Sequence, residues 1–301
     1  MDIETLAAFV EVADHGSFSL AAQRLHLTQP AVSKRIATLE ARTGQPLLDR
    51  IGRRVTLTDA GRTLLPYARR VLQDLEDGRR ALSHLNQEIR GRLSIGTSHH
   101  IGLHRLPPAL KQYTQQHPDV DLDLHFMDSE DACEAVLAGR LELGIVTLPS
   151  QPLPKLEQHK VWDDPLSVVV APGHPLLTTG RRTPLAALAA HPAVLPDEAT
   201  YTHRIIKAEL QRGGVSPHVR LSTNYLETLK MLVAIGLGWS VLPDSMLDES
   251  IRALPVSGLR LRRALGLVWH QGRTLSGPAR ALIGQLQAAT GRPGDSPKMR
   301  A

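Results

Sequence analysis

The sequence predicts a helical N-terminal head that carries a short β-hairpin wing, one long helix after it, and a C-terminal α/β unit. Three observations predict this. Apolar residues from Ile3 to Leu39 recur at helical spacing in three short bursts separated by turn residues. From Thr58 to Ile89 the apolar positions alternate steps of four and three. Beyond Gly91, short apolar runs and helical patterns take turns, as in α/β folds.

The chain of 301 residues has room for two or three units with cores of their own. With 42% hydrophobic and 22% charged residues it fits the soluble globular class. No apolar run approaches the ~20 residues of a membrane span. The opening MDIETLAAFVEVADHGSF lacks the basic region and cleavage site of a secretory signal. The lone Cys133 has no partner for an internal disulfide, so a cytoplasmic location is expected. Between His15 and Arg70 stand ten basic and three acidic side chains, whereas the whole chain is only +5. A basic head on a near-neutral body points to a polyanion partner, although a basic stretch is commonly just a solvated face.

Ile3, Leu6, Ala7, Val10 and Ala13 give a first amphipathic helix over 2–14. His15-Gly16-Ser17 ends it and caps a second short helix marked by Phe18, Ala21, Ala22 and Leu25. Thr28 is placed to cap a third, with Pro30 in its first turn, where a missing N–H costs little. Val32, Ile36 and Leu39 face inward, leaving Pro30, Lys34, Ala37 and Thr38 outward and Gln29 and Ser33 at the tip. Two short helices, a tight turn and a third helix with a polar N-terminal face form a helix-turn-helix. Gln pairs with adenine, Lys with guanine, and Ser with either. A plain three-helix bundle has the same periodicity, but the segment after the third helix weighs against it. Pro46–Arg50 and Val55–Thr58 read as two strands, and the turn between them carries Gly52, Arg53 and Arg54. Arginine at such a tip suits a narrow minor groove.

These residues together resemble the LysR-type transcriptional regulators of bacteria. The resemblance rests on Ala21-Ala22, Leu25, Thr28-Gln29-Pro30-Ala31-Val32-Ser33, Ile36 and Leu39-Glu40, then on Pro46–Arg50 and Arg53–Gly61. Leu48 departs from the usual phenylalanine and keeps an apolar anchor. The resemblance implies base contact from Gln29, Pro30 and Ser33 and groove contact from Arg53. It implies backbone contacts from Ser17, Lys34, Arg35, Arg50, Arg54 and Thr56, with double-stranded promoter DNA as the partner.

The long helix repeats Leu64, Ala68, Val71, Leu75, Gly78, Leu82, Leu85 and Ile89 as a heptad stripe, which predicts a homodimer through this helix. The resemblance extends that to a homotetramer and makes RNA polymerase a candidate further partner.

In the C-terminal unit, strands are expected at Leu93–Thr97, Val120–Phe126, Leu141–Thr147, Leu166–Ala171 and Ala264–Trp269, the last three as buried parallel strands. Helices are expected at Leu103–Gln116, Ser129–Ala138, Tyr201–Arg212, Asn224–Ile235 and Gly277–Ala289. Gly139–Ile145, His174-Pro175-Leu176 and Gly236–Pro243 add to the resemblance, which implies a two-lobed effector domain like the type 2 periplasmic binding proteins. The expected divisions are 1–58 for the winged head, 59–90 for the linker helix and 91–290 for the effector domain. Within the last, lobe one takes 92–161 and 267–290 and lobe two 162–266, with a disordered tail at 291–301.

In such a fold a ligand sits between the lobes, at strand ends and helix starts. Thr97, Ser98 and His99 stand at one such place, and Tyr201, Thr202 and His203, followed by Arg204, at another; Asp128 and Thr147 complete the rim. Helix starts favour anions, so the expected effector is a small oxyanion or carboxylate, and no cofactor is expected. Helix capping is the competing role for Thr97 and Thr202. His100 and His104 have metal-ligand spacing, but no carboxylate or cysteine stands at a matching offset, so no metal is expected. The chain lacks a Gly-x-Ser-x-Gly elbow, a phosphate loop and a His-Glu-x-x-His motif, so catalysis is not expected.

Overall fold

A computed structural model of the chain describes residues 1–51, 54–84, 89–177 and 182–290. Gly52, Arg53, Leu85 and the tail 291–301 lie outside the described residues. The chain divides into two units near residue 86.

In the first unit, helix α1 (Ile3–His15) starts at Asp2, whose carboxylate accepts the Thr5 N–H at 2.9 Å. It stops at Gly16, whose φ of +60° is a left-handed conformation that suits glycine. Helix α2 spans Phe18–Arg24 and α3 spans Gln29–Thr43. Thr28 occupies the extended cap position of α3, yet its side chain makes no cap bond. One of the two N–H groups such a cap normally takes is missing, because Pro30 stands there. Phe9, Val12, Ala21, Val32, Ile36, Leu39 and Leu47 form the head's core, so the inward face of α3 is as expected.

Strands β1 (Leu48–Ile51) and β2 (Arg54–Leu57) pair antiparallel, Leu48 against Leu57. Glu40 fixes the base of this wing to α3 by accepting the N–H groups of Leu47 (2.8 Å) and Leu48 (3.3 Å). Helix α4 (Asp59–His84) follows. A Cβ on its Gly61 would stand 2.1 Å from the Leu47 carbonyl oxygen, so only glycine lets the helix pass the wing this closely. The heptad stripe is not uniform in its surroundings. Leu64 and Ala68 pack into the head's core, whereas Val71 is 46% exposed.

The second unit is built on a seven-stranded sheet in the order β10-β6-β11-β5-β3-β4, with β9 also on β6. Strands β3 (Gly91–Thr97), β4 (Val120–Phe126) and β5 (Leu143–Thr147) are parallel. Strands β6 (Leu156–Val170) and β11 (Leu261–His270) are long and antiparallel to each other, and β11 is antiparallel to β5. This corrects the parallel expectation for 166–171 and 264–269. Apolar runs report burial, not direction, and the polar first half of β6 hid its true length. Strands β7 (Pro192–Leu195) and β8 (His218–Ser222) form a parallel pair; β9 spans Ser240–Pro243 and β10 Arg252–Ala253.

The helices are α5 (His99–His104), α6 (Leu106–Gln116), α7 (Ser129–Leu137), α8 (Tyr201–Arg212), α9 (Leu226–Ala234) and α10 (Gly277–Thr290). The expected helix at 103–116 is two helices broken at Arg105, because Pro107 and Pro108 belong in the first turn of a new helix.

Two cores divide the unit into lobes. One gathers Leu93, Ile95, Tyr113, Leu143, Leu265 and Leu282; the other gathers Leu166, Leu188, Ile206, Trp239 and Val241. Strands β6 and β11 supply both, Val161 and Leu265 to the first, Leu166 and Leu261 to the second. Where they cross, their register slips between Leu265 and Gly266, a bulge that bends and twists a strand pair.

Candidate nucleic-acid interface and ligand cleft

On the head, the N-terminal tip of α3 is a ready polar surface. Gln29, Pro30 and Lys34 are exposed, and the Gln29 amide donates to the Ser33 hydroxyl at 3.1 Å, one helical turn on. Two of the three base-reading candidates are thus held on one face before any DNA arrives. Ser17 caps α2, its hydroxyl accepting the Leu20 N–H at 3.3 Å. Arg35 is already engaged with Glu4 at 2.5 Å, so a phosphate would have to compete with that carboxylate. Thr56 is exposed on β2 opposite Asp49. Arg50 lies on β1 and Arg54 on β2.

In the second unit a cavity of about 320 Å³ opens between the lobes. Of the expected residues, Ser98, His99, Asp128, Thr147 and Thr202 line it. Thr97, Tyr201 and His203 do not. Thr97 is fully buried and donates its hydroxyl to the Ile145 carbonyl at 2.8 Å, because strand alternation turns it into the sheet. His203 is buried with Nδ1 on the Pro196 carbonyl at 2.7 Å. Tyr201 packs with Cys133 and Leu141, and its N–H donates to the Glu130 carboxylate. The start of α8 therefore already holds a carboxylate, and the expected anion has no vacancy there. Thr200 supplies the cap, accepting the His203 N–H at 3.1 Å.

The charge that faces the cavity comes from elsewhere. Arg263 on β11 stands opposite Asp164 on β6, with Nε on Oδ2 at 2.8 Å, while Arg105 reaches Oδ1 of the same carboxylate at 2.7 Å. Arg263 also donates to the Thr202 hydroxyl at 3.0 Å, and its Nη2 is buried without a hydrogen-bond partner among the described residues. Burial pushes the Asp164 carboxyl up, but Arg263 and Arg105 outweigh it and hold the group below its ordinary value. His100, beside Arg263, is pushed down to about 3, first by burial and then by the arginine's charge, so its ring is neutral near pH 7.

Two bonds close the lobes over this charge. The Asn224 amide donates to Asp128 at 2.6 Å, and the Glu130 carboxylate holds the Tyr201 N–H. At the mouth His99 stacks on Phe126 with ring centroids 5.4 Å apart and tilts against Tyr225 at 5.1 Å. Sequence reasoning missed Arg263, Asn224 and Tyr225, and weighed His100 only as a metal ligand. The signal available for Arg263 was a charged pair, Arg262-Arg263, leading into an apolar strand.

Residues 3–62 match the family described as bacterial regulatory helix-turn-helix proteins of the lysR family, and residues 86–291 match the LysR substrate binding domain. An uncharacterized HTH-type transcriptional regulator of Azotobacter vinelandii is 64% identical over 108 residues, covering 36% of this chain and 75% of that one. The HTH-type regulator YfeR of Shigella flexneri is 31% identical over 93% of this chain and 91% of its own. Full-length CbnR, solved in complex with its target DNA, has the same fold, with a TM-score of 0.66 at 23% identity over 96% of this chain and 100% of CbnR. Among the described residues no helix is long and apolar enough to cross a membrane. The chain belongs to the LysR family: it is a DNA-binding transcription regulator with a C-terminal effector-binding domain.

Proposed function

We propose that the effector is a small molecule carrying one anionic group, a carboxylate or oxyanion, together with hydrogen-bond donors. The observation that carries this reading is Arg263, a buried guanidinium on the cavity wall with Nη2 unpartnered among the described residues. A buried donor without a partner is costly, and an anion would relieve that cost with a charge-assisted bond. Asp128 and Asp131, also on the wall, favour an effector that brings donors of its own. The ligand would join lobes that meet at the crossing of β6 and β11, changing the angle between them. It shifts that angle only by binding one conformer more tightly than another.

Carried to the assembly, this reading makes the protein a cytoplasmic homodimer through α4, in a homotetramer, whose heads sit on promoter DNA at effector-dependent spacing and bend. RNA polymerase is the natural further partner. In this reading the cleft binds rather than turns over: Ser98 accepts the Ile101 N–H at 3.4 Å and the His99 ring packs with Phe126 and Tyr225, an arrangement of caps and stacked rings rather than of a nucleophile and its base.

The test is a thermal-shift screen of the full chain against small carboxylates and oxyanions, each beside its neutral amide or ester. Binding at a hundred times Kd should stabilise by about 2.7 kcal/mol. An acid that stabilises the wild type but not Arg263→Lys, with its amide inert, supports the reading. Equal stabilisation by acid and amide overturns it.

A further inference from the structure

We infer that His100, His104 and Glu227 form a site for a first-row divalent cation of the zinc class, stapling lobe one to lobe two. On α5, His100 and His104 stand four residues apart with ring centroids 4.7 Å from each other. The third group comes from α9, which packs in the other lobe. Glu227 reaches across to His104, Oε1 to Nε2, at 3.1 Å. One ligand atom from each of the three lies within 4.8 Å of the others.

A second, independent observation points to a ligand. His100 is only 3% exposed, and both its ring nitrogens are buried without a hydrogen-bond partner among the described residues. A buried imidazole normally satisfies at least one nitrogen, so two open ones leave a lone pair for a metal. Two imidazoles and one carboxylate are a donor set that zinc uses when it keeps a fourth position open. Tetrahedral zinc with ligands at about 2.0–2.2 Å spaces them about 3.3–3.6 Å apart, so the trio closes by at most about 1.5 Å onto an ion.

His100 also lines the ligand cavity, from which water would complete the coordination. Arg263 and Arg105 are the adverse neighbours, and both are paired with the Asp164 carboxylate, at 2.8 and 2.7 Å. Because the ligands come from both lobes, the cation would hold them together with or without effector. Nothing in this site depends on the effector's charge.

The experiment uses the full chain stripped with a chelator and titrated with cobalt(II), then with zinc(II). His104→Ala and Glu227→Gln remove ligands that are partly exposed, which spares the fold. The wild type should bind one cobalt per chain with intense visible bands of a tetrahedral centre. Each variant should bind it more than about tenfold more weakly, since even an outer partner of a metal ligand is worth that much. Failure of the wild type to bind at micromolar metal overturns the site. Equal binding by wild type and variants places any metal elsewhere and overturns it too. Weakening by His104→Ala alone overturns the staple. The acid-against-amide screen is read separately, so either proposal can fail without the other.

Discussion

The head and the cleft use polar groups in opposite ways. On the head, Gln29, Pro30 and Lys34 stand exposed on one helix, and Gln29 and Ser33 are linked within a single turn. In the cleft, the dominant charge, Arg263, is buried and held by Asp164, 99 residues away in sequence, and by Thr202, while Arg105 shares the same carboxylate. A surface that reads DNA has to leave its groups free for base edges and phosphates. A sensor has to hold its groups in place before the ligand comes, and that requires a network in which each member leans on the others. The first kind of site tolerates the loss of one member; the second does not.

Removing the carboxylate at the centre of the cleft breaks this contrast most severely. Asp164→Asn leaves the buried Arg263 guanidinium and the partly buried Arg105 without a counter-charge, a loss of about 3–5 kcal/mol. Urea unfolding of the full chain should show it in the transition of the effector domain, with the head's transition unmoved. The pH dependence has a defined sign. The folded-state pKa of Asp164 is depressed, so its stabilisation is complete above the ordinary carboxylate range and is lost as pH falls below it. The wild type should therefore converge on Asp164→Asn in acid and separate from it at neutral pH.

The head should respond more gently. Gln29→Ala should cost about 1–3 kcal/mol of discrimination for the promoter and leave the stability of the fold alone. Lys34→Ala should weaken promoter and random duplex alike and lower the slope of log affinity against log salt by about one unit. Fluorescence anisotropy across a salt series measures both. A loss of discrimination in Lys34→Ala, with the slope unchanged, would exchange the roles of the two residues.

The smallest effect concerns Cys133. It is buried on α7, and burial pushes its thiol up to about 11. Alkylation by iodoacetamide at pH 8 should be negligible in the native protein and complete in denaturant. Cys133→Ala should leave DNA binding unchanged, as befits a small core residue rather than a redox sensor.

The same contrast explains what could be read from the sequence. The head's core and outward face follow from steps of three and four residues, and its turns from Gly16, Ser17 and Pro30, so local patterns were enough. The heptad stripe was legible as a stripe but its uneven surroundings were not, because periodicity does not say that Leu64 and Ala68 meet the head's core. In the cleft, Ser98 and His99 were visible because a strand runs into a helix there. Thr97, one residue earlier, points the other way, and a single-residue alternation was the whole difference. Arg263 and Glu227 were out of reach. Their partners are set by two long antiparallel strands and by a helix of the opposite lobe, contacts that span 99 and 123 residues.

The head's claim to read sequence is tested most directly by titrating labelled promoter duplex and scrambled duplex with the full chain at 0.15 M salt, beside the double variant Gln29→Ala, Ser33→Ala. The wild type should prefer its promoter by at least about a thousandfold, and the double variant should lose about tenfold or more of that ratio while keeping its affinity for scrambled DNA. An unchanged ratio in the double variant would contradict the assignment of base reading to the tip of α3.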